Sequence, residues 1–287
     1  MRSTTRLAVI ALLTPVSFAA GQAPPGKNLA EDFRVTSTVQ GMADTMMIMG
    51  HVVGSNDKMR IDLTTMGPNA QVSPITAAGP ISMIVTDSGR TINYLDPKQS
   101  QYVRVRPADM LAEAQKTGSV KLDFSDARVS VDSLGAGPIL LGHPTLRYRI
   151  NTGMNISMAA FGQSQSVKLS SSTEYLFATD INGVLNPFSS LSGTDQMNMF
   201  GASNKDFAAK MKAAQARLPQ RTPLRASSAA TVVAQGQTRV TNTQADVTSV
   251  QWVNADPKVF EIPANYTAGQ LPSMGAGAPP SSPPPQR

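Results

Sequence analysis

Alternation of apolar and polar residues at period two, broken by short turn-forming clusters, limits the fold of this chain more than any other feature. It runs through residues 33–39, 46–53 and 58–65, and again through 81–85, 91–95 and 101–105. Period two sends successive side chains to opposite faces of a strand. Gly54, Ser55, Asn56 and Asp57 form the turn of a hairpin between the second and third of these segments. Asp87, Ser88, Gly89 and Arg90 make another turn, and Asp96, Pro97, Lys98 and Gln99 a third. Further strands are expected at 127–131, 146–151, 167–177, 224–233 and 239–253. About ten strands on short connections describe an antiparallel meander, sandwich or barrel. No Gly-rich strand-to-helix turn occurs, which argues against a parallel nucleotide-binding sheet.

Two helices interrupt the strands. Pro107 suits a first helical position, and Gly118 closes residues 108–117. In the second, Ser203 and Asp206 resemble a capping box. Phe207, Met211, Ala214 and Leu218 then share a face, and Pro219 ends it. The other face carries Lys205, Lys210, Lys212 and Arg217, which read as a solvated face rather than a lipid or nucleic-acid contact. Residues 180–195, rich in Gly and Ser, read as a loop.

Composition narrows the chemistry. The chain has no Cys, which excludes disulfides, thiolate metal sites and thiol catalysis, and only 2 His among its 287 residues. Charged residues make up 15%, below the ~25% of ordinary soluble domains. Arg2 and Arg6 precede an apolar run at residues 7–13, then Pro15 and the small residues Ser17 and Ala19. This is the layout of a secretory signal peptide, and the run is too short for a membrane span, which needs ~20 residues. Its removal lowers the net charge from 25 − 19 = +6 to 23 − 19 = +4. At the other end, residues 271–287 are Pro, Gly, Ser and Ala in the main and read as a disordered tail. The expected organisation is a signal peptide at 1–19, a spacer at 20–28, one domain at 29–270 and the tail at 271–287. The mature chain is expected to be periplasmic or secreted, with no transmembrane segment.

Several phrases in order carry a resemblance. Met59, Arg60, Ile61 and Asp62 are followed by Met83, Ile84, Val85, Thr86 and Asp87, then by Thr91, Ile92, Asn93, Tyr94, Leu95 and Asp96. Gly142, His143, Pro144 and the strand through Tyr148 come next, and the domain closes on Phe260, Glu261, Ile262, Pro263 and Tyr266. Over about residues 29–266 the chain resembles exported bacterial domains similar to the LolA/LolB-like lipoprotein carriers. The resemblance implies a mainly β (α+β) fold, an incomplete antiparallel barrel with a helical lid around an apolar cavity. In the carriers that cavity holds lipoprotein acyl chains.

Methionine is the most unusual ingredient, with 15 in the chain. In an extended strand Met47, Met49 and His51 point to one face and Met46 to the other. Thioethers and imidazole suit cuprous ion, which makes Met47, Met49 and His51 a copper alternative. Same-face neighbours start some 6.5 Å apart, so one ion would need a ligand from an adjoining strand. The leading reading is that soft side chains line a deformable apolar cavity, with Met46, Met47, Met49, Met83, Met197, Met199, Phe207 and Met211 as candidates.

Catalytic patterns are not found. Ser55 and Lys58 match Ser-x-x-Lys but fall in a hairpin turn. His143 sits between Gly142 and Pro144 and reads as a turn residue. Arg147 and Arg149 alternate with Leu146 and Tyr148, without the exposed aromatics that a nucleic-acid-binding sheet requires. The expectation is a binding module, not an enzyme, with no cofactor. An apolar ligand or lipid is its first partner class, and an envelope protein-interaction or sensor role is the alternative.

Overall fold

The structure is a computed structural model and describes residues 26–41, 45–54, 58–66, 81–87, 91–106, 109, 121–160, 163–182 and 205–269. Twelve strands form one sheet. They are β1 (Asn28–Val39), β2 (Thr45–Gly54), β3 (Met59–Met66), β4 (Ile81–Thr86), β5 (Thr91–Asp96), β6 (Gln101–Val105), β7 (Lys121–Ala136), β8 (Thr145–Ala160), β9 (Gln163–Asn182), β10 (Arg221–Ala234), β11 (Gln237–Val253) and β12 (Thr267–Ala268). The order across the sheet is β12-β6-β5-β4-β3-β2-β1-β11-β10-β9-β8-β7. Neighbours are antiparallel except β12 on β6. The mainly β class therefore holds, but the sheet does not close, and β7 and β12 are its two ends.

The strands form where alternation predicts them, and burial follows the pattern. Along β2, Ile48, Gly50 and Val52 are buried while Met47 and Met49 are exposed. Cross-strand pairing carries this inward face from strand to strand. Val52 stands opposite Ile61, Ile61 opposite Met83, and Val35 opposite Ile48 and Ala245. The resulting core joins Leu29, Phe33, Ile61, Met83, Tyr175, Phe177, Leu224 and Val247, among others. Each such side chain, fully buried, contributes on the order of 1.5–3 kcal/mol.

β7, β8 and β9 are 16, 16 and 20 residues long, far beyond the stretches in which alternation is clear. Their outer parts carry a second cluster on the same face: Met154, Ile156, Phe207 and Met211, with Phe124, Val129 and Leu169 against it. Helix α1 (Lys205–Gln215) lies there, with Phe207, Met211 and Ala214 buried as predicted. Lys210, from the basic face, is tied back by donating to Ala127 O at 2.9 Å and to Asp206 at 2.7 Å. Apart from Asp109, the other predicted helix lies outside the described residues, as do Met197 and Met199.

Beyond β11 the chain makes a 3-10 turn at Pro257–Phe260 beside β3, then pairs with β6 as β12. Asp256 caps the turn by accepting from Lys258 N at 2.9 Å. Phe260 is buried, and so are Ile84 and Leu95 on the face of β4 and β5 opposite Met83.

Candidate functional site

The two faces differ sharply in chemistry. The outer face of β1 and β8–β11 is a polar array of Thr36, Gln244, Ser227, Glu174 and Arg149, in register from strand to strand. Arg147 Nε donates to Glu174 Oε1 at 2.9 Å, and Arg149 Nη2 to Oε2 at 3.0 Å. The Arg147 bond, aided by Arg149 and opposed by partial burial, holds the Glu174 carboxyl below its ordinary range. Both arginines thus point outward, as their alternation with Leu146 and Tyr148 predicts. A depression of about 600 Å³ lies over this array, and one of about 480 Å³ opens around Gly153 between Arg128 and Lys168.

The inner face is apolar at both ends, with a band of hydroxyls between. These hydroxyls bond to one another: Ser37 with Thr243 at 3.0 Å, Thr173 with Ser228 at 2.9 Å, and Thr152 with Ser171 at 2.8 Å. Burial is cheap for polar groups satisfied in this way.

Glu31 differs. It lies in the inward register of β1 between Leu29 and Phe33, opposite Val52 on β2 and Val250 on β11. It is 4% exposed, and its Oε2 is buried without a hydrogen-bond partner. Burial alone pushes its carboxyl up to about 8. The charged residues closest in register, Asp32, His51, Asp62 and Asp246, belong to the opposite face. Sequence reasoning missed Glu31 because the clear alternation begins at Phe33. Extended back two and four residues, the same parity reads Leu29, Glu31, Phe33, with an acid where a hydrophobe belongs.

The predicted residues fall in separate places. Met46 and Met83 belong to the inner face, with Met83 buried and Met46 packed against the main core. Phe207 and Met211 belong to the second cluster. Met47 and Met49 are 36% and 38% exposed on the outer face, away from the apolar surface that a cavity lining would share with Met83. His51 shares their face, and its Nδ1 is 2.8 Å from Asp32 Oδ1. The strand beside them offers Arg34 opposite Met49 and Thr36 opposite Met47, so β1 brings neither a thioether nor an imidazole to a shared ion. Among the described residues there is no cluster of three His, Asp or Glu able to hold a metal.

His143 closes the β7–β8 hairpin, as its turn setting predicts. Leu140 and His143 exchange backbone hydrogen bonds of 2.8 and 3.0 Å around Leu141 and Gly142, whose φ values are 51° and 84°. Its Nδ1 lies 2.9 Å from Asp180 Oδ2. Ile139 and Leu141 stand 71% and 47% exposed at this tip.

No family model matches the chain, and the search of curated proteins returns no match. Among solved structures the chain is similar to a "putative outer membrane lipoprotein-sorting protein domain from Vibrio parahaemolyticus", with 6% identity and a TM-score of 0.29 over 82% of this chain and 90% of that one. A TM-score this low carries no argument about function. The class that the fold defines is a single open, mainly antiparallel sheet, apolar on one face and polar on much of the other. Among the described residues no helix is long and apolar enough to cross a membrane.

Proposed function

We propose that this chain is an exported, non-catalytic binding module that holds an apolar ligand, such as a lipid or acyl chain, against the inner face of its sheet. One observation carries the reading. The inner face is apolar across β1–β4 and β9–β11 and has the thioethers of Met46, Met59 and Met83 built into it. Flexible, polarizable side chains let such a surface adapt to chains of different shape. The polar face opposite supplies solubility. Export rests on the basic, then apolar, N-terminal segment. The non-catalytic part of the reading rests on the sequence, which has no Cys and only 2 His.

Native mass spectrometry of the gently extracted protein tests the reading. A co-purified lipid mass, or uptake of a fluorescent fatty acid by the stripped protein, is the expected result. An empty protein that takes up no such probe overturns it.

The exposed apolar tip at Ile139 and Leu141 favours a second reading, an envelope interaction module. Under this reading the double substitution Ile139→Ser, Leu141→Ser abolishes cross-linking to an envelope protein while lipid uptake is unchanged.

A further inference from the structure

Among the polar groups described on the inner face, Glu31 stands apart. The hydroxyls pair with one another, whereas its Oε2 is buried and unpartnered in an apolar neighbourhood. Leaving such a group unpaired is costly, so a partner arriving from outside gains what the fold forgoes.

Its neighbours indicate the kind of partner. Phe33 lies two residues along β1 on the same face. Trp252, the one tryptophan of the chain, lies across β11, two residues beyond Val250 and opposite Leu29. Both rings pack in the same core, Trp252 at its half-buried margin. An acid flanked by two aromatic side chains is the composition that recognises an organic cation: the ring faces attract positive charge and the carboxylate neutralises it. The hydrophobes around it, Leu29, Val52, Ile61 and Val250, suit a hydrocarbon body rather than a hydrophilic one.

We infer that Glu31, with Phe33 and Trp252, is the head-group site for an amphiphilic amine, an alkyl chain ending in an ammonium group. This rests on the apolar-ligand reading above and names the ligand class. A phosphocholine head fits less well. Its phosphate would need a cation, and the charged groups closest in register to Glu31 lie on the other face, where His51 already pairs with Asp32.

The test uses three ten-carbon probes below their micelle concentrations: decyltrimethylammonium, decanol and decylphosphocholine. Each is titrated at pH 7 against the purified chain, with Trp252 emission and heat as readouts. The expected result is that the ammonium binds at least tenfold more tightly than decanol or decylphosphocholine, and that Glu31→Gln removes this advantage. In the unsubstituted protein, which avoids any question of the variant's folding, ammonium binding should also release close to one proton. That proton passes from the Glu31 carboxyl to the buffer as the carboxylate forms, and is measured as heat in two buffers of different ionisation enthalpy. Equal affinity for ammonium and decanol, or ammonium binding without proton release, overturns the inference and leaves the apolar-ligand reading standing. Equal affinity for decylphosphocholine and ammonium, lost together in Glu31→Gln, overturns the exclusion of the phosphocholine head. If none of the probes binds, the apolar-ligand reading falls and the inference with it.

Discussion

The ring of Phe33 occupies the space where a side chain on Gly50 would stand. The two residues are cross-strand partners, and a Cβ at Gly50 would lie 2.7 Å from the ring tip and 2.8 Å from the carbonyl oxygen of Asp62. The ring can shift, but a backbone carbonyl held in the β2–β3 ladder cannot easily do so. Gly50→Ala is therefore expected to cost about 1–3 kcal/mol, as overpacking does. Adding Phe33→Leu should fail to restore stability, because the carbonyl contact remains. Urea unfolding of the single and double variants checks this, and full recovery in the double variant would place the whole clash on the ring.

Glu31 makes stability depend on pH with a definite sign. Its carboxyl is raised from 4.5 to about 8 by burial, so the folded state holds the proton more firmly than the unfolded chain. Its contribution is most favourable below about 4.5, declines as pH rises toward 8, and levels off above that, with a slope of at most about 1.4 kcal/mol per pH unit. Urea midpoints at pH 5 and pH 8 should show the decline in the unsubstituted chain and not in Glu31→Gln. A decline that persists unchanged in the variant would assign it to other groups.

Glu174 works in the opposite direction. Its carboxyl is depressed, chiefly by Arg147, so the stability it contributes is present above about pH 4.5 and lost as pH falls through its lowered value. The group is partly exposed, and solvent screening keeps the effect small, about 1 kcal/mol or less. Acid titration of Glu174→Gln should show a flatter loss of stability at low pH. Unfolding followed by circular dichroism, at low and high salt, measures it.

Leu141 occupies a left-handed backbone position, with φ 51°, while exposing 47% of its surface. That conformation costs a branched L-residue roughly 1 kcal/mol, and little packing offsets it. Leu141→Asn, which suits a two-residue hairpin of this type, should raise stability by about 0.5–1 kcal/mol. A melting temperature that falls instead would show that the exposed leucine is held by packing of its own.

Phe207 is fully buried where α1 meets β7 and β8. Phe207→Ala should cost about 3–5 kcal/mol locally and release the helix, without loosening β1–β4. Hydrogen exchange should show lost protection in α1 and the outer parts of β7 and β8 alone.

Local patterning made the strands of the first half legible. The alternation puts Met46 on one face of β2 and Met47 and Met49 on the other, but does not say which face is buried, so all three stand as cavity candidates although only Met46 faces the core. In β7–β9 the signal weakens, since Ser and Thr stand on the inner face as well as the outer, as Thr152, Ser171 and Thr173 do. Of strands that are 16, 16 and 20 residues long, alternation marks only 127–131, 146–151 and 167–177. The apolar face of 205–218 was legible from its helical period, but its seat on Met154 and Ile156 was not, because partners so far apart in the chain leave no local mark. Two bonds at the site were likewise hidden: nothing near His51 or His143 announces that Asp32 or Asp180 will hold its ring.

The central seam of the sheet joins β1 to β11, pairing Phe33 with Val247 and Leu29 with Trp252. β2 to β6 pair in chain order, and so do β7 to β11, but this seam must close a loop of more than 200 residues. Such closure is slow compared with local pairing. Without this seam each partial sheet leaves its apolar face incomplete. Glu31 sits on the seam, so the pairing between the most distant parts of the domain is also the one that encloses the acid.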